Sequence, residues 1–173
     1  MDRFRSIREL VDKNRLAAVG ETGLDRIRHD SSMDSQIAMF RLHADLAEKA
    51  GLPLVLHSVR ANSDILSEHS RRRPRSTWII HGCSAGNQEL EKIVSRGIAI
   101  SMGPREFSRP GARENLHRTP SELLFLETDD SGVDIGEVYR IAAEKLDCPV
   151  EILARRIHEN WRRLFGDPTE TVS

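Results

Sequence analysis

LAAVGE, at residues 16–21, is a short apolar run that ends on a side chain able to bind a metal ion. Three further runs in the chain share this property. They are PLVLH at 53–57, TWIIH at 77–81 and LLFLETD at 123–129, so the order of ligand side chains is Glu21, His57, His81 and Asp129. These side chains are separated by 36, 24 and 48 residues along the chain. A barrel of parallel strands brings such distant strand ends together around one axis, with the catalytic groups on its carboxyl rim.

Strand and helix signals alternate along the chain, which is the pattern of stacked βα units. Five strands are predicted, at residues 16–20, 53–57, 77–81, 98–102 and 123–128. Helices are predicted around residues 4–11, 34–50, 61–69, 89–96, 135–145 and 149–165, and residues 102–110 are predicted to be a loop. The strands are almost continuously apolar, which is typical of parallel strands covered by helices on both faces. These patterns predict the α/β class.

Composition limits the classes of function. The 173 residues carry a net charge of −1, so no overall electrostatic field attracts the chain to nucleic acid or membrane. No stretch approaches the roughly 20 apolar residues of a membrane helix, and residues 1–20 lack the features of a signal peptide. We therefore expect a soluble, cytoplasmic protein with one domain over residues 1–173. Its two cysteines, Cys83 and Cys148, form no Cys-x-x-Cys pair, so we expect small buried or half-buried side chains.

Six segments together resemble the TatD family of metal-dependent hydrolases. They are AAVGETGLD (17–25), PLVLHSVRA (53–61), IIHGCSAG (79–86), AISMG (99–103), LLFLETDDS (123–131) and IHENWRRLFG (157–166), and they match best over residues 16–166. The resemblance implies a (β/α)8 TIM barrel that binds divalent metals and often acts as a deoxyribonuclease. The family opens with a His-x-His pair after its first strand, whereas residues 1–15 contain no histidine. The expected barrel is therefore N-terminally incomplete, without two strands and one pair of ligands.

Residue by residue, the resemblance makes Glu21 the metal-bridging glutamate, and His57 and His81 the histidines that complete one metal site. Asp129 matches the aspartate associated with a second metal and with activation of water, so it is the expected catalytic residue. Glu127 is expected to support the site without binding metal. Each residue also has a structural alternative, since strand-end histidines can be hydrogen-bonded core groups and Asp129 can cap the segment that follows it.

The residue types themselves are suited to this chemistry. A divalent ion makes a bound water nucleophilic near neutral pH and stabilises the leaving oxygen of a phosphodiester. Carboxylate and imidazole suit zinc, manganese or similar ions, and magnesium is a further candidate. Glu21, His57 and His81 would hold one ion, and Asp129 would orient the water or accept its proton. Because the ligands for a second ion are depleted, weakened or single-metal chemistry is predicted, with one or two divalent ions as the expected cofactor.

Substrate and partners follow less directly from the sequence. Loops after strands line the active rim of a barrel, so five arginines are predicted to contact phosphate: Arg26, Arg28, Arg60, Arg105 and Arg109. Expected substrates are DNA ends or a small phosphate ester, with a related ester or amide as the further chemistry. The alternative function is a non-catalytic or degenerate TatD-like binding protein or fragment. A homodimer that covers the open barrel edge is also expected, because unpaired strand edges are usually covered.

Overall fold

The computed structural model describes residues 2–13 and 15–166, with side chains described from Phe4 onward within those ranges. The backbone divides into two compact units, residues 1–79 and 80–173. This division does not test the expectation of one domain over residues 1–173, which stays a prediction. Among the described residues, no helix combines the length and the apolar character needed to cross a membrane.

In the first unit, helices alternate with strands. Its elements are α1 (Asp2–Asp12), β1 (Val19–Asp25), α2 (Met33–Ala50), β2 (Leu54–Val59) and α3 (Asn62–Arg72), followed by the start of β3 (Trp78–Ile80). β1 and β2 pair in parallel, with Thr22 opposite Leu56 and Gly23 opposite His57. The predicted βα alternation is therefore confirmed in this unit.

The predicted bounds of β1 were wrong, since the strand covers residues 19–25 and not 16–20. The prediction ended the strand at Gly20 because glycine usually marks a turn. Both glycines of β1 instead lie against β2: a Cβ on Gly20 would come within 2.8 Å of the Val55 carbonyl oxygen, and one on Gly23 within 1.9 Å of the His57 carbonyl oxygen. Glu21 and His57 consequently lie inside their strands and not at the tips, whereas His81 directly follows β3.

Helix α2 packs its apolar side against the first unit's core. The Ser32 hydroxyl accepts the Ser35 N–H at its start, and Gly51 ends it with φ 67°, close to the predicted bounds. Phe40 is fully buried and meets the Trp78 ring edge-on, with centroids 5.4 Å apart. This contact fixes α2 beside the strands through apolar packing.

Charged residues join α2 to α3. Glu68 is buried on α3 and accepts hydrogen bonds from Arg41 of α2 and from Arg71 and Arg72 of its own helix. Burial alone would raise the pKa of Glu68, but the bonds and charges of Arg41 and Arg71 outweigh it and lower that pKa from 4.5 to about 2. Arg72 belongs to the arginine-rich segment at residues 71–75, and its side chain is only 16% exposed.

The second unit continues the alternation. After the end of β3 come α4 (Asn87–Val94), β4 (Ala99–Met102), α5 (Pro104–Phe107), α6 (Ala112–Arg118), β5 (Leu124–Leu126), α7 (Ile135–Lys145) and α8 (Val150–Phe165). β4 and β5 pair in parallel, with Ile100 opposite Leu124 and Met102 opposite Leu126. The fold is thus α/β in this unit too, with strands buried on both faces.

Two short helices replace the loop predicted over residues 102–110 and the segment after it. The glycine, prolines and serine between Gly103 and Pro110 resemble a turn-rich loop in the sequence. In the structure, the buried Glu106 carboxylate accepts the Gly103 N–H at 3.0 Å, so α5 is capped by a residue of its own first turn. Local hydrogen bonding therefore overrides the turn pattern.

Glycine at position 23 is required by the close approach of β1 to β2. We expect Gly23→Ala to separate the two strands and to lower the free energy of unfolding by more than about 3 kcal/mol, as severe overpacking of a core does. Gly51→Ala is the matched control, because Gly51 has φ 67° but no atom within 4 Å of an added Cβ. The control is expected to lose only about 1 kcal/mol, the conformational cost alone. Urea denaturation measures both, and equal losses would contradict the close approach.

The charges around Glu68 predict a pH dependence of stability. The folded-state pKa lies below the ordinary 4.5, so this contribution is fully present above about pH 4.5 and is lost as the pH falls toward 2. Glu68→Gln is expected to cost about 2 kcal/mol at pH 7, discounted for the exposed arginines, and to flatten the stability profile between pH 4.5 and 2. Urea titrations across that range provide the measurement. Glu9→Gln, at an exposed position of α1, should stay within about 0.5 kcal/mol of the parent.

Candidate metal centre

The pairing of β1 with β2 puts Glu21, Asp25 and His57 on one face of the strands. Thr22 and Leu24 are buried on one side of β1, so Glu21, Gly23 and Asp25 point to the other side. His57 follows the same alternation after the buried Leu56 and lies opposite Gly23. Because Gly23 has no side chain, the imidazole lies between the two carboxylates of β1.

Distances in the first unit are consistent with a metal-binding pair. Ligand atoms of Glu21 and His57 lie within 4.8 Å of each other. His57 Nε2 is also 3.6 Å from Asp25 Oδ2. A carboxylate and an imidazole at this separation form a His/Glu group that suits zinc, manganese and similar ions. The donor set present therefore fits a divalent metal.

Asp25 is held in place by its own loop and by α2. Its Oδ1 accepts the backbone N–H groups of Ile27 at 2.8 Å and Arg28 at 3.2 Å. Gln36 accepts the Asp25 backbone N–H at 2.7 Å and donates to the Asp25 carbonyl at 3.1 Å. Although partial burial raises the pKa of Asp25, these N–H groups and the neighbouring His57 lower it more, so the pKa lies below its ordinary value.

A cavity of about 630 Å³ opens onto this face within the first unit. Its walls include Glu21, Asp25 and His57 together with Arg28 and Gln36. Such a space holds a small ligand or one end of a longer one. The His/Glu pair is therefore accessible to a substrate.

His43 also lines this cavity, but its contacts are those of a structural residue. Its Nδ1 is 3.0 Å from the Met39 carbonyl and 3.2 Å from the Thr22 hydroxyl, and its ring meets Phe4 edge-on. Burial lowers the pKa of His43, so the ring is neutral at pH 7. His43 thus connects α2 to β1 behind the pair.

In the second unit, His81 has a carboxylate partner of its own. The His81 side chain is 14% exposed, and its Nδ1 is 3.7 Å from Glu127 Oε1, while the Ser101 hydroxyl donates to Glu127 Oε2. Burial would raise the pKa of Glu127, but the neighbouring His81 and the hydrogen bond from Ser101 outweigh it and lower that pKa. A Cβ on Gly103 would come within 2.8 Å of the Glu127 carbonyl oxygen, so glycine allows this residue to approach. The supporting role expected of Glu127 stays a prediction.

Asp129 and Arg105, both predicted site residues, lie close together in the second unit. Asp129 has φ 44° and a side chain that is 45% exposed, and its Oδ2 is 3.8 Å from Arg105. Arg105 also donates to Asp130 at 2.9 Å. Asp129 therefore contacts a cation, and its predicted roles as metal ligand and catalytic residue stay predictions.

The other predicted phosphate contacts are all exposed. Arg26 makes a bidentate ion pair with Asp64, and Arg28 pairs with Asp30. Arg28 is also on the wall of the cavity beside Glu21, whereas Arg109 lines a separate cavity of about 280 Å³ in the second unit. Arg60 has a positive φ of 53° at the end of β2. Of these four arginines, Arg28 is the one that lines the cavity beside Glu21 and His57.

The two cysteines have the predicted environments, with Cys83 buried and Cys148 half-buried. Burial raises the pKa of the Cys83 thiol to about 12, so the group stays protonated. Cys83 donates its backbone N–H to the Ser101 carbonyl, next to β4. Its place in the fold is structural.

Sequence reasoning missed Asp25 and Gln36 as parts of the site. Asp25 stands in the same GETGLD segment as Glu21, and the alternation of a strand continued through Gly23 would have put both carboxylates on one face. Ending the strand at Gly20 hid that relation. Gln36 left no signal, since its hydrogen bonds to Asp25 depend on the packing of α2.

Comparisons with known proteins agree on one family. The model of the TatD related DNase family matches residues 1–166. The chain is 29% identical over 172 residues to the uncharacterized metal-dependent hydrolase YjjV of Escherichia coli, covering 89% of this chain and 65% of that protein. It is 27% identical over 186 residues to the 3′-5′ ssDNA/RNA exonuclease TatD of Pantoea ananatis, covering 95% of this chain and 72% of that protein.

Solved structures show the same fold. The crystal structure of YjjV, a TatD homologue from Escherichia coli, aligns with a TM-score of 0.86 at 24% identity, over 95% of this chain and 70% of that one. A TatD family hydrolase from Entamoeba histolytica aligns with a TM-score of 0.80 at 19% identity, over 92% and 67% of the two chains. The predicted α/β fold of the TIM-barrel hydrolase type is confirmed, and this chain spans 65–72% of the length of these three relatives.

The family match covers all but the last seven residues of the chain, and the first unit has a His/Glu group that suits a divalent ion. The chain therefore belongs to the TatD-related DNase family of metal-dependent hydrolases.

Proposed function

We propose that this chain is a metal-dependent hydrolase that cleaves phosphodiester bonds at DNA ends or in a small phosphate ester. The observation that carries the proposal is the pairing of Glu21 with His57, whose ligand atoms lie within 4.8 Å of each other beside an open cavity. Family membership supports it. The relative from Pantoea ananatis is named a 3′-5′ ssDNA/RNA exonuclease. That name describes the relative, and it gives further support to the proposal.

His81 is the third ligand in this proposal. It follows β3 directly, as the order of apolar runs predicts, and Glu127 holds its ring through Nδ1. A histidine with a carboxylate on one ring nitrogen presents the other nitrogen to a metal in a fixed orientation. Glu21, His57 and His81 are then one carboxylate and two imidazoles, which is a common donor set for a catalytic ion with an open position.

A bound divalent ion would supply a water that is nucleophilic near neutral pH and would stabilise the leaving oxygen. The chain's own residues bind the phosphate and accept the proton. Arg28, exposed on the cavity wall, binds a phosphate oxygen in exchange for its contact with Asp30. Asp129 accepts the proton of the attacking water, as the family resemblance implies for this position.

Substitution of the ligand histidines tests the proposal. We expect His57→Ala and His81→Ala to lower hydrolysis more than about 100-fold, because even residues that only support a metal ligand cost about 10–100-fold. His158→Ala is the matched control, at an exposed position of α8, and should keep the parent's rate. The assay follows a 5′-labelled single-stranded DNA oligonucleotide and bis(p-nitrophenyl) phosphate, each with added Mn²⁺ or Zn²⁺.

Equal rates in the parent and both ligand variants would refute the mechanism. Metal binding by calorimetry without turnover of either substrate would instead favour the non-catalytic TatD-like binding protein. Turnover of the small ester alone would assign the activity to small phosphate esters. Loss of oligonucleotide cleavage in Arg28→Ala, with the small ester still hydrolysed, would assign Arg28 to the binding of DNA.

A further inference from the structure

Two carboxylates flank the His57 ring in the first unit, and they differ in their surroundings. Glu21 is exposed, and its ligand atom lies within 4.8 Å of the one that His57 offers. Asp25 Oδ2 lies 3.6 Å from His57 Nε2, and the Asp25 side chain is only 22% exposed. The two residues are separated by Gly23, which is opposite His57 in the parallel register. The strand thus offers the ring one carboxylate on each side.

Asp25 is the more firmly fixed partner of the Asp25–His57 contact. Its Oδ1 accepts two backbone N–H groups, those of Ile27 and Arg28, and Gln36 bonds both its backbone N–H and its carbonyl. The His57 side chain is 42% exposed and extends toward the cavity. A fixed acceptor 3.6 Å from Nε2 constrains the orientation of that ring.

We propose that Asp25 is a positioning residue that holds neutral His57 with its proton on Nε2 and so presents Nδ1 to the metal. The physical reason is that an ionised carboxylate only accepts hydrogen bonds, so the nitrogen facing it carries the hydrogen. The other ring nitrogen then has the lone pair that a metal ligand needs. This inference rests on the proposed function for the identity of the ligand, but the tautomer is a property of the metal-free chain.

The two oxygens of Asp25 allow this role to be separated from a purely structural one. Oδ1 serves the turn at Ile27 and Arg28, whereas Oδ2 faces His57. Asparagine keeps an oxygen for the turn but places an N–H donor toward the ring. That donor needs an acceptor, so Asp25→Asn should preserve the turn and move the His57 proton from Nε2 to Nδ1.

The experiment measures the His57 tautomer and the affinity for zinc in the full chain. Long-range ¹⁵N–¹H correlation spectra of the metal-free chain, recorded well above the ordinary histidine pKa of about 6.5, distinguish the two tautomers. The His57 signals are assigned by their loss in His57→Ala. Calorimetry with Zn²⁺ gives the dissociation constant, and thermal denaturation monitors the fold.

Three variants are compared with the parent. We expect Asp25→Asn to switch the tautomer and to raise the zinc dissociation constant by about 10–100-fold, with little change in melting temperature. Asp30→Asn removes the same charge from the exposed Asp30 that pairs with Arg28, and should match the parent in tautomer and affinity within about threefold. Asp25→Ala also removes the acceptor of the turn, so it should lower the melting temperature as well.

The proposal is overturned if His57 in Asp25→Asn keeps the parent's tautomer, even if zinc binds more weakly, since charge alone would explain that loss. It is also overturned if Asp30→Asn has the same effect as Asp25→Asn. A parent that neither binds zinc nor hydrolyses either substrate would refute the proposed function. A tautomer switch specific to Asp25→Asn would still support the positioning role in that case.

Discussion

The contact on which the candidate metal-binding face depends is the close approach of β1 to β2 at Gly23 and His57. An added Cβ on Gly23 would lie 1.9 Å from the His57 carbonyl, so only glycine allows the two strands to pair there. That pairing sets the register, and the register places His57 between Glu21 and Asp25. Because all three side chains stand on hydrogen-bonded strands, their spacing is determined mainly by the backbone. Side-chain rotamers then adjust only the final distances.

Charge pairs of different kinds surround this face. Exposed pairs such as Arg28 with Asp30 contribute little to stability, since water screens them. The bonds around Glu68 differ, because the carboxylate is buried and three arginines compensate for its loss of hydration. They join α2 to α3, while Gln36 and His43 join α2 to β1. Helix α2 therefore connects the core of the first unit to the face of β1 and β2 that carries Glu21 and His57.

Much of the fold was predictable from apolar runs and their alternation with helices. The bounds of α7, α8 and β4 follow from the sequence to within a residue or two, because long amphipathic helices and buried strands have strong patterns. α5 and α6 were not predictable, since Gly103, Pro104 and Pro110 suggest a loop and the capping bond of Glu106 depends on its burial. In the site, the residue types of Glu21 and His57 were sufficient to predict both as metal ligands. Asp25 was missed because the strand was ended at the first glycine, although both glycines of β1 lie against β2 and the strand continues to Asp25.

The parallel pairing of β1 with β2 has a consequence for folding. Any ion that Glu21 and His57 hold is bonded to both strands at once, so its binding opposes their separation. An ion that binds the folded chain and not the unfolded one adds RT ln(1 + [ion]/Kd) to stability, about 2.7 kcal/mol at a concentration 100 times the dissociation constant. Under the proposed function, a bound ion would be a reversible cross-link inside a βαβ unit. A chelator would then loosen the structure around α2 as well as remove the ion.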